Sequence, residues 1–117
     1  LALREIAWSH LDDDQPGDAA AVFEEALALD PDDVNARYGL GRSVLAAGDA
    51  LRALTMFNEV LADIPDDMAT RVYRIIALRE LDRNAQALRD ADRLIADQQG
   101  FHLARHAQAL ATGITEA

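Results

Sequence analysis

Three groups of residues have the types that chemistry would need. His102 and His106 stand four apart, so on a helix both imidazoles could meet one metal ion. The chain has no cysteine, and no Glu-x-x-His partner completes a ligand shell, so two ordinary helix histidines explain the pair better. Asp12-Asp13-Asp14-Gln15-Pro16-Gly17-Asp18 has the alternating acids and the glycine of a calcium loop. Pro16, however, occupies a ligand position, and Phe23 stands where the closing glutamate belongs, which favours a solvated turn between helices. Ser9 and Ser43 lack a general base and an orienting group in their sequence contexts. Glu24 and Glu25 are adjacent and read as a solvated helix face. The expectation is a chain that is no enzyme and holds no cofactor and no metal.

The elements that position these residues follow from composition and period. A length of 117 residues suits one domain. Alanine fills 24 positions, lysine none, and there are six glycines and three prolines, so intrinsic preference points to helix nearly throughout. The longest apolar run, Ala19 to Phe23, is far shorter than the ~20 residues of a membrane span, so no membrane insertion is expected. A net charge of −10 repels phosphate backbones, which argues against nucleic acid as a partner. That charge is uneven: residues 1–67 carry four arginines and fifteen acids, and residues 68–117 carry seven arginines and six acids. The start at Leu1, inside a helical pattern, reads as an excerpt or processed piece of a longer protein.

One segment returns further along the chain. Asp30-Pro31-Asp32-Asp33-Val34 reappears, from position 30 to position 64, as Ile64-Pro65-Asp66-Asp67-Met68. Ala19 to Arg37 and Ala53 to Arg71 share nine of nineteen positions at that same offset, among them Phe23, Pro31 and Arg37. Within each unit, apolar residues step by three and four, as in Ala50, Ala53, Leu54, Phe57, Val60, Leu61 and Ile64. Breakers divide each unit into two helices: Asp14-Gln15-Pro16-Gly17, then Gly48-Asp49, then Asp82-Arg83-Asn84. Proline stops one helix at Pro31 and Pro65, and an aspartate caps the next. Each unit is a helical hairpin.

Leu40-Gly41, Val44, Gly48-Asp49, Ala53, Phe57, Val60 and Pro65 resemble the tetratricopeptide repeat (TPR), whose pattern runs from a Leu-Gly pair through Ala and Phe to Pro with a period equal to that offset. Unit one fits through Ile6-Ala7, Ala19, Phe23, Ala26-Leu27 and Pro31, and unit three through Ala77-Leu78, Leu81-Asp82 and Ala87-Leu88. The resemblance implies an all-α fold, a right-handed α-solenoid of three TPR hairpins plus a C-terminal capping helix. As one domain over 1–117, the hairpins would occupy 1–32, 33–66 and 67–100, and the capping helix 101–112, seven helices in all. Gly41 and Ala53 would let the helices of a hairpin approach closely, while Phe23 and Phe57 bridge to the following hairpin. Ile75 in a glycine position, Ala91 in the phenylalanine position and His10 in place of tyrosine predict a less regular third hairpin.

The resemblance also implies a function: a non-catalytic protein interaction module, a scaffold whose concave groove binds a peptide or helix. Helical spacing puts Asn35, Tyr38, Arg42, Leu45 and Ala46 of unit two on the groove side. The shift by one repeat adds Leu1, Arg4, Trp8, Leu11 and Asp12 from unit one and Ala69, Val72, Ile76, Arg79 and Glu80 from unit three. The peptide-binding set is therefore Arg4, Trp8, Leu11, Asn35, Tyr38, Arg42, Leu45, Val72, Ile76 and Arg79. An apolar strip with aromatic anchors and arginines suits a partner with apolar side chains and an acidic group. The alternative for Trp8 and Tyr38 is that they cover apolar surface inside the array. Of the positions used by the lysine, asparagine and arginine carboxylate clamp of co-chaperone TPR domains, here Arg4, Trp8, Gly39, Ala69 and Tyr73, only Arg4 could serve. The rival function is a structural or oligomerisation element whose groove is filled by its own chain or another copy. Arginine without lysine and abundant alanine suggest a GC-rich bacterial genome, with cytoplasm and periplasm both open.

Overall fold

The computed structural model describes the backbone of residues 2–111 and the side chains of residues 2–98. Six helices make three consecutive hairpins: α1 (Leu3–Asp12) with α2 (Pro16–Leu29), α3 (Val34–Ala46) with α4 (Ala50–Asp63), and α5 (Met68–Glu80) with α6 (Asn84–Ala111). The three turns inside the hairpins share one geometry. Asp14, Gly48 and Asp82, each one repeat after the last, have φ of 58°, 97° and 57°. The next amide reaches back to the helix at each site: Gln15 to His10, Asp49 to Val44 and Arg83 to Leu78. This is a left-handed helix stop that satisfies the last carbonyls, and of the three residues only Gly48 adopts it without a Cβ penalty. The aspartate-rich stretch at 12–18 is therefore spent on a helix stop, with Pro16 at the first position of α2.

The links between hairpins follow from proline. Asp30 and Ile64 precede Pro31 and Pro65 and are pushed out of the helical region, to φ/ψ of −141/90° and −131/80°. Asp33 and Asp67 then cap α3 and α5, their carboxylates accepting from the amides of Ala36 and Thr70. Asp49 caps α4 in the same way. Ion pairs repeat with the fold: Arg37 to Asp63 at 3.4 Å in the second hairpin, Arg71 to Asp97 at 2.8 Å in the third.

Phe23 and Phe57 are fully buried and tie the hairpins together. Phe23 of α2 fills the space that a side chain at Gly39 of α3 would need. Phe57 lies against Gly41 within its own hairpin and reaches Tyr73 of the next, with ring centroids 6.2 Å apart. The third hairpin replaces this pairing: Ile75 stands at the place of Gly41 and Ala91 at the place of Phe57, a trade of volume between facing helices. Likewise Leu40 and Met56 give way to Arg74 and Asp90, which form an ion pair at 3.0 Å. Among the described residues of α6 only Ala87 is buried, whereas α4, which packs on α3 and is also covered by α5, buries six.

The separate helix expected over 101–112 is not a separate element. α6 runs without interruption from Asn84 to Ala111, through Gly100. A glycine inside a helix costs about 1 kcal/mol, which good helix formers on either side offset, and no proline is present to enforce a stop. Thr112 lies outside the described residues.

Candidate binding groove

The backbones of neighbouring first helices approach one another, α1 to α3 and α3 to α5, whereas those of the second helices α2 and α4 stand further apart and are bridged by the long side chains of Glu24 and Arg52. The first helices therefore form the inner, concave layer of the stack, and their side chains decide what the groove offers. On this layer the structure gathers Trp8 of α1, Tyr38 and Arg42 of α3, and Tyr73 of α5. The Trp8 ring stands edge-on to buried Phe23 at 5.1 Å and lies 5.9 Å from Tyr38. Its indole N–H donates to Asn35 Oδ1 at 3.0 Å. Tyr38 and Tyr73 meet at 6.1 Å, nearly perpendicular.

At the centre of these rings sits one cation. The Arg42 guanidinium carbon is 4.6 Å from the Tyr73 ring centroid, 5.4 Å from that of Trp8 and 5.8 Å from that of Tyr38. All three distances lie within the range of cation–π attraction. Arg42 makes no ion pair among the described residues. Stacking occupies the faces of a guanidinium and leaves its in-plane N–H groups to an acceptor. Burial pushes the Tyr38 phenol above its ordinary value of 10.0, and the neighbouring charge of Arg42 opposes that rise.

The remaining groove candidates divide. Arg4 is paired with Asp33 at 3.4 Å, across the first and second hairpins. Leu11 and Leu45 pack against the core as partly buried residues. Val72 and Ile76 are 39% and 37% exposed and, with Met68 at 40%, form an open apolar stripe along α5 at spacings of four. Ile76 and Arg79 border a hollow of about 460 Å³ with Glu80, Asp82 and Asn84, which none of the ring residues lines. A second hollow, about 470 Å³, contains the Arg71–Asp97 and Arg74–Asp90 pairs and lies between α6 and the α4–α5 link.

Tyr73 is missing from the peptide-binding set read from the sequence, which names it only as a carboxylate-clamp position that a tyrosine does not serve. The shift by one repeat carries Tyr38 onto Val72, and Tyr73 falls on the place of Gly39, a packing position. Its aromatic type, one residue from the expected register, was the available signal. Buried Ser43 donates its hydroxyl to the Gly39 carbonyl and so has a structural role. Leu1 and the side chains of His102 and His106 lie outside the described residues.

Comparison with known proteins adds two findings. The family model described as tetratricopeptide repeat matches residues 4–68, more than half of the chain. Superkiller protein 3 of Saccharomyces cerevisiae is 25% identical over 85 residues, covering 73% of this chain. The chain spans 6% of that relative's length.

Proposed function

Since the chain belongs to the tetratricopeptide repeat family, whose repeats are in general protein-interaction modules, we propose that its concave face binds a peptide or helix carrying apolar anchors and a carboxylate. The observation that carries this reading is Arg42. A guanidinium held between three rings, with no carboxylate partner among the described residues, is pre-organised for a planar acid. The open stripe of Met68, Val72 and Ile76 on α5 supplies the adjoining apolar contact, and Arg79 a second cation at its end. Leu11, Leu45, Asn35 and Arg4 support the floor and rim rather than reach the partner: the two leucines pack inward, Asn35 holds Trp8, and Arg4 is engaged by Asp33.

A peptide library displayed on phage and selected against the chain tests this. Selected sequences should combine an acidic residue with apolar side chains, and binding should fall with Arg42→Gln and Tyr38→Ala but not with Glu24→Arg on a second helix. Ligands without acids, or ligands sensitive only to Glu24→Arg, would place binding elsewhere.

A further inference from the structure

The stacking face of each hairpin is covered by the next. Leu54 and Leu61 of α4 are 6% and 9% exposed, with the third hairpin packed over them. Their equivalents one repeat on, Leu88 and Ile95 of α6, are 62% and 50% exposed. They lie seven apart, on one flank of the helix. The element that would cover them in repeat register begins near residue 101, one step beyond α5. That segment instead continues α6 to Ala111, so its backbone runs on along the helix axis for roughly 20 Å past the hairpin. A straight helix does not lie on its own flank.

We infer that two copies of this chain exchange the segment, residues 101–111 of each α6 covering the Leu88 and Ile95 flank of the other across a two-fold axis near Gly100. Charge supports a second copy as the occupant. Residues 1–98 hold ten arginines and twenty acids, whereas residues 99–112 hold Arg105, two histidines and no acid. The segment is cationic; the hairpin that would receive it is itself near neutral, with six arginines and five acids over residues 68–98, but Asp92 lies between Leu88 and Ile95 on the flank to be covered. The link Gln98-Gln99-Gly100 supplies the choice between states. In helical form it sends the segment outward to a partner, and in turn form it would fold the segment back on its own hairpin. Exchange of an identical element through such a hinge is a low-cost route to a dimer. The inference is independent of what the groove binds.

Light scattering on the 117-residue chain over a wide range of concentration is the test, with circular dichroism as the check on folding. The chain should form a dimer. Gly100→Ala favours the continuous helix and should tighten the dimer by roughly fivefold for each exchanged helix. Gly100→Pro, which ends the helix at the link, should shift the chain to monomer. Leu88→Glu with Ile95→Glu should also give a monomer. A monomer at every concentration for both the unaltered chain and Gly100→Ala overturns the inference. So does a dimer that survives either Gly100→Pro or the double glutamate change, since another surface would then be holding it.

Discussion

Arg42 is a charged side chain made rigid by its neighbours, and this changes what each ring is worth. Trp8, Tyr38 and Tyr73 come from three different helices, so the position of the guanidinium depends on all three hairpins. An aromatic anchor at a desolvated interface centre typically contributes about 2 kcal/mol or more, and an exposed ion pair ~1 kcal/mol or less. Here the two are linked, because Tyr38→Ala removes an anchor and also loosens the seat of Arg42. For a selected groove ligand, Tyr38→Ala and Arg42→Gln should each weaken binding. The double variant should lose less than the sum of the two, by about 0.5–3 kcal/mol, measured by calorimetry in a double-mutant cycle. Additive losses would mean that the ring and the cation act separately. Tyr38 also predicts a pH effect. Burial raises its pKa above 10.0, so in the alkaline range the folded chain binds more protons than the unfolded one. Stability from this group is complete below the unfolded pKa and declines as pH rises through the folded one. Denaturant midpoints should therefore fall on going above pH ~10 by more in the unaltered chain than in Tyr38→Phe. Because Arg42 opposes the rise, Arg42→Gln should steepen the fall; equal slopes in all three proteins would remove burial as the cause.

At the scale of the element, the hairpins were legible because their signals are local. Prolines, capping aspartates and left-handed stops recur at the repeat period, and each acts within a few residues of itself. The turn at Gly48 gives a direct check. With φ of 97°, Gly48→Ala should lower stability by about 1–2 kcal/mol in urea unfolding. Gly48→Asn should cost about half as much, since asparagine tolerates the left-handed region. Equal costs would show that the residue's size, not its backbone angle, decides. Phe57→Ala should cost ~3–5 kcal/mol, because the ring is fully buried between Gly41 and Tyr73 and no neighbour can refill the space. What depends on contacts between units was harder to read. Gly41 with Phe57 and Ile75 with Ala91 are two solutions to one volume, and taken singly the second pair reads as two departures. Tyr73 enters the groove only because the neighbouring hairpins bring Tyr38 and Arg42 to it. At Gly100 the sequence suggested a stop, but a helix stop needs a left-handed residue and a chain reversal together, and Gln98 and Gln99 before it are good helix formers.

Across the whole molecule, packing and charge change together from one end to the other. Residues 1–67 hold fifteen of the twenty-one acids and, with α1 to α4, most of the side chains that are buried among the described residues. In a repeat array each unit is stabilised by itself and by its immediate neighbours, so the middle hairpin gains on two sides and the outer ones on one. The outer hairpins differ in what they bury themselves. The first buries Ala7, Ala19, Phe23 and Ala26; among its described residues the third buries Thr70, Ala77, Leu78 and Ala87, with no phenylalanine between its helices there and an Arg74–Asp90 pair in place of apolar contact. An ion pair of this kind adds little net stability, whereas a buried phenylalanine adds several times the contribution of a methylene. Hydrogen exchange should therefore rank the hairpins. Amides of α3 and α4 should be protected longest, those of α1 and α2 next, and those of α5 and residues 84–97 least, in a cooperative opening of the third hairpin. That opening also withdraws Tyr73 from Arg42, so a ligand bound across the groove should slow exchange in α5 more than in α4, where protection is already near the global limit. Uniform protection in all three hairpins would show that the phenylalanine and the ion pair are energetically equivalent here, and a ligand effect confined to α1 and α3 would remove the third hairpin from the binding surface.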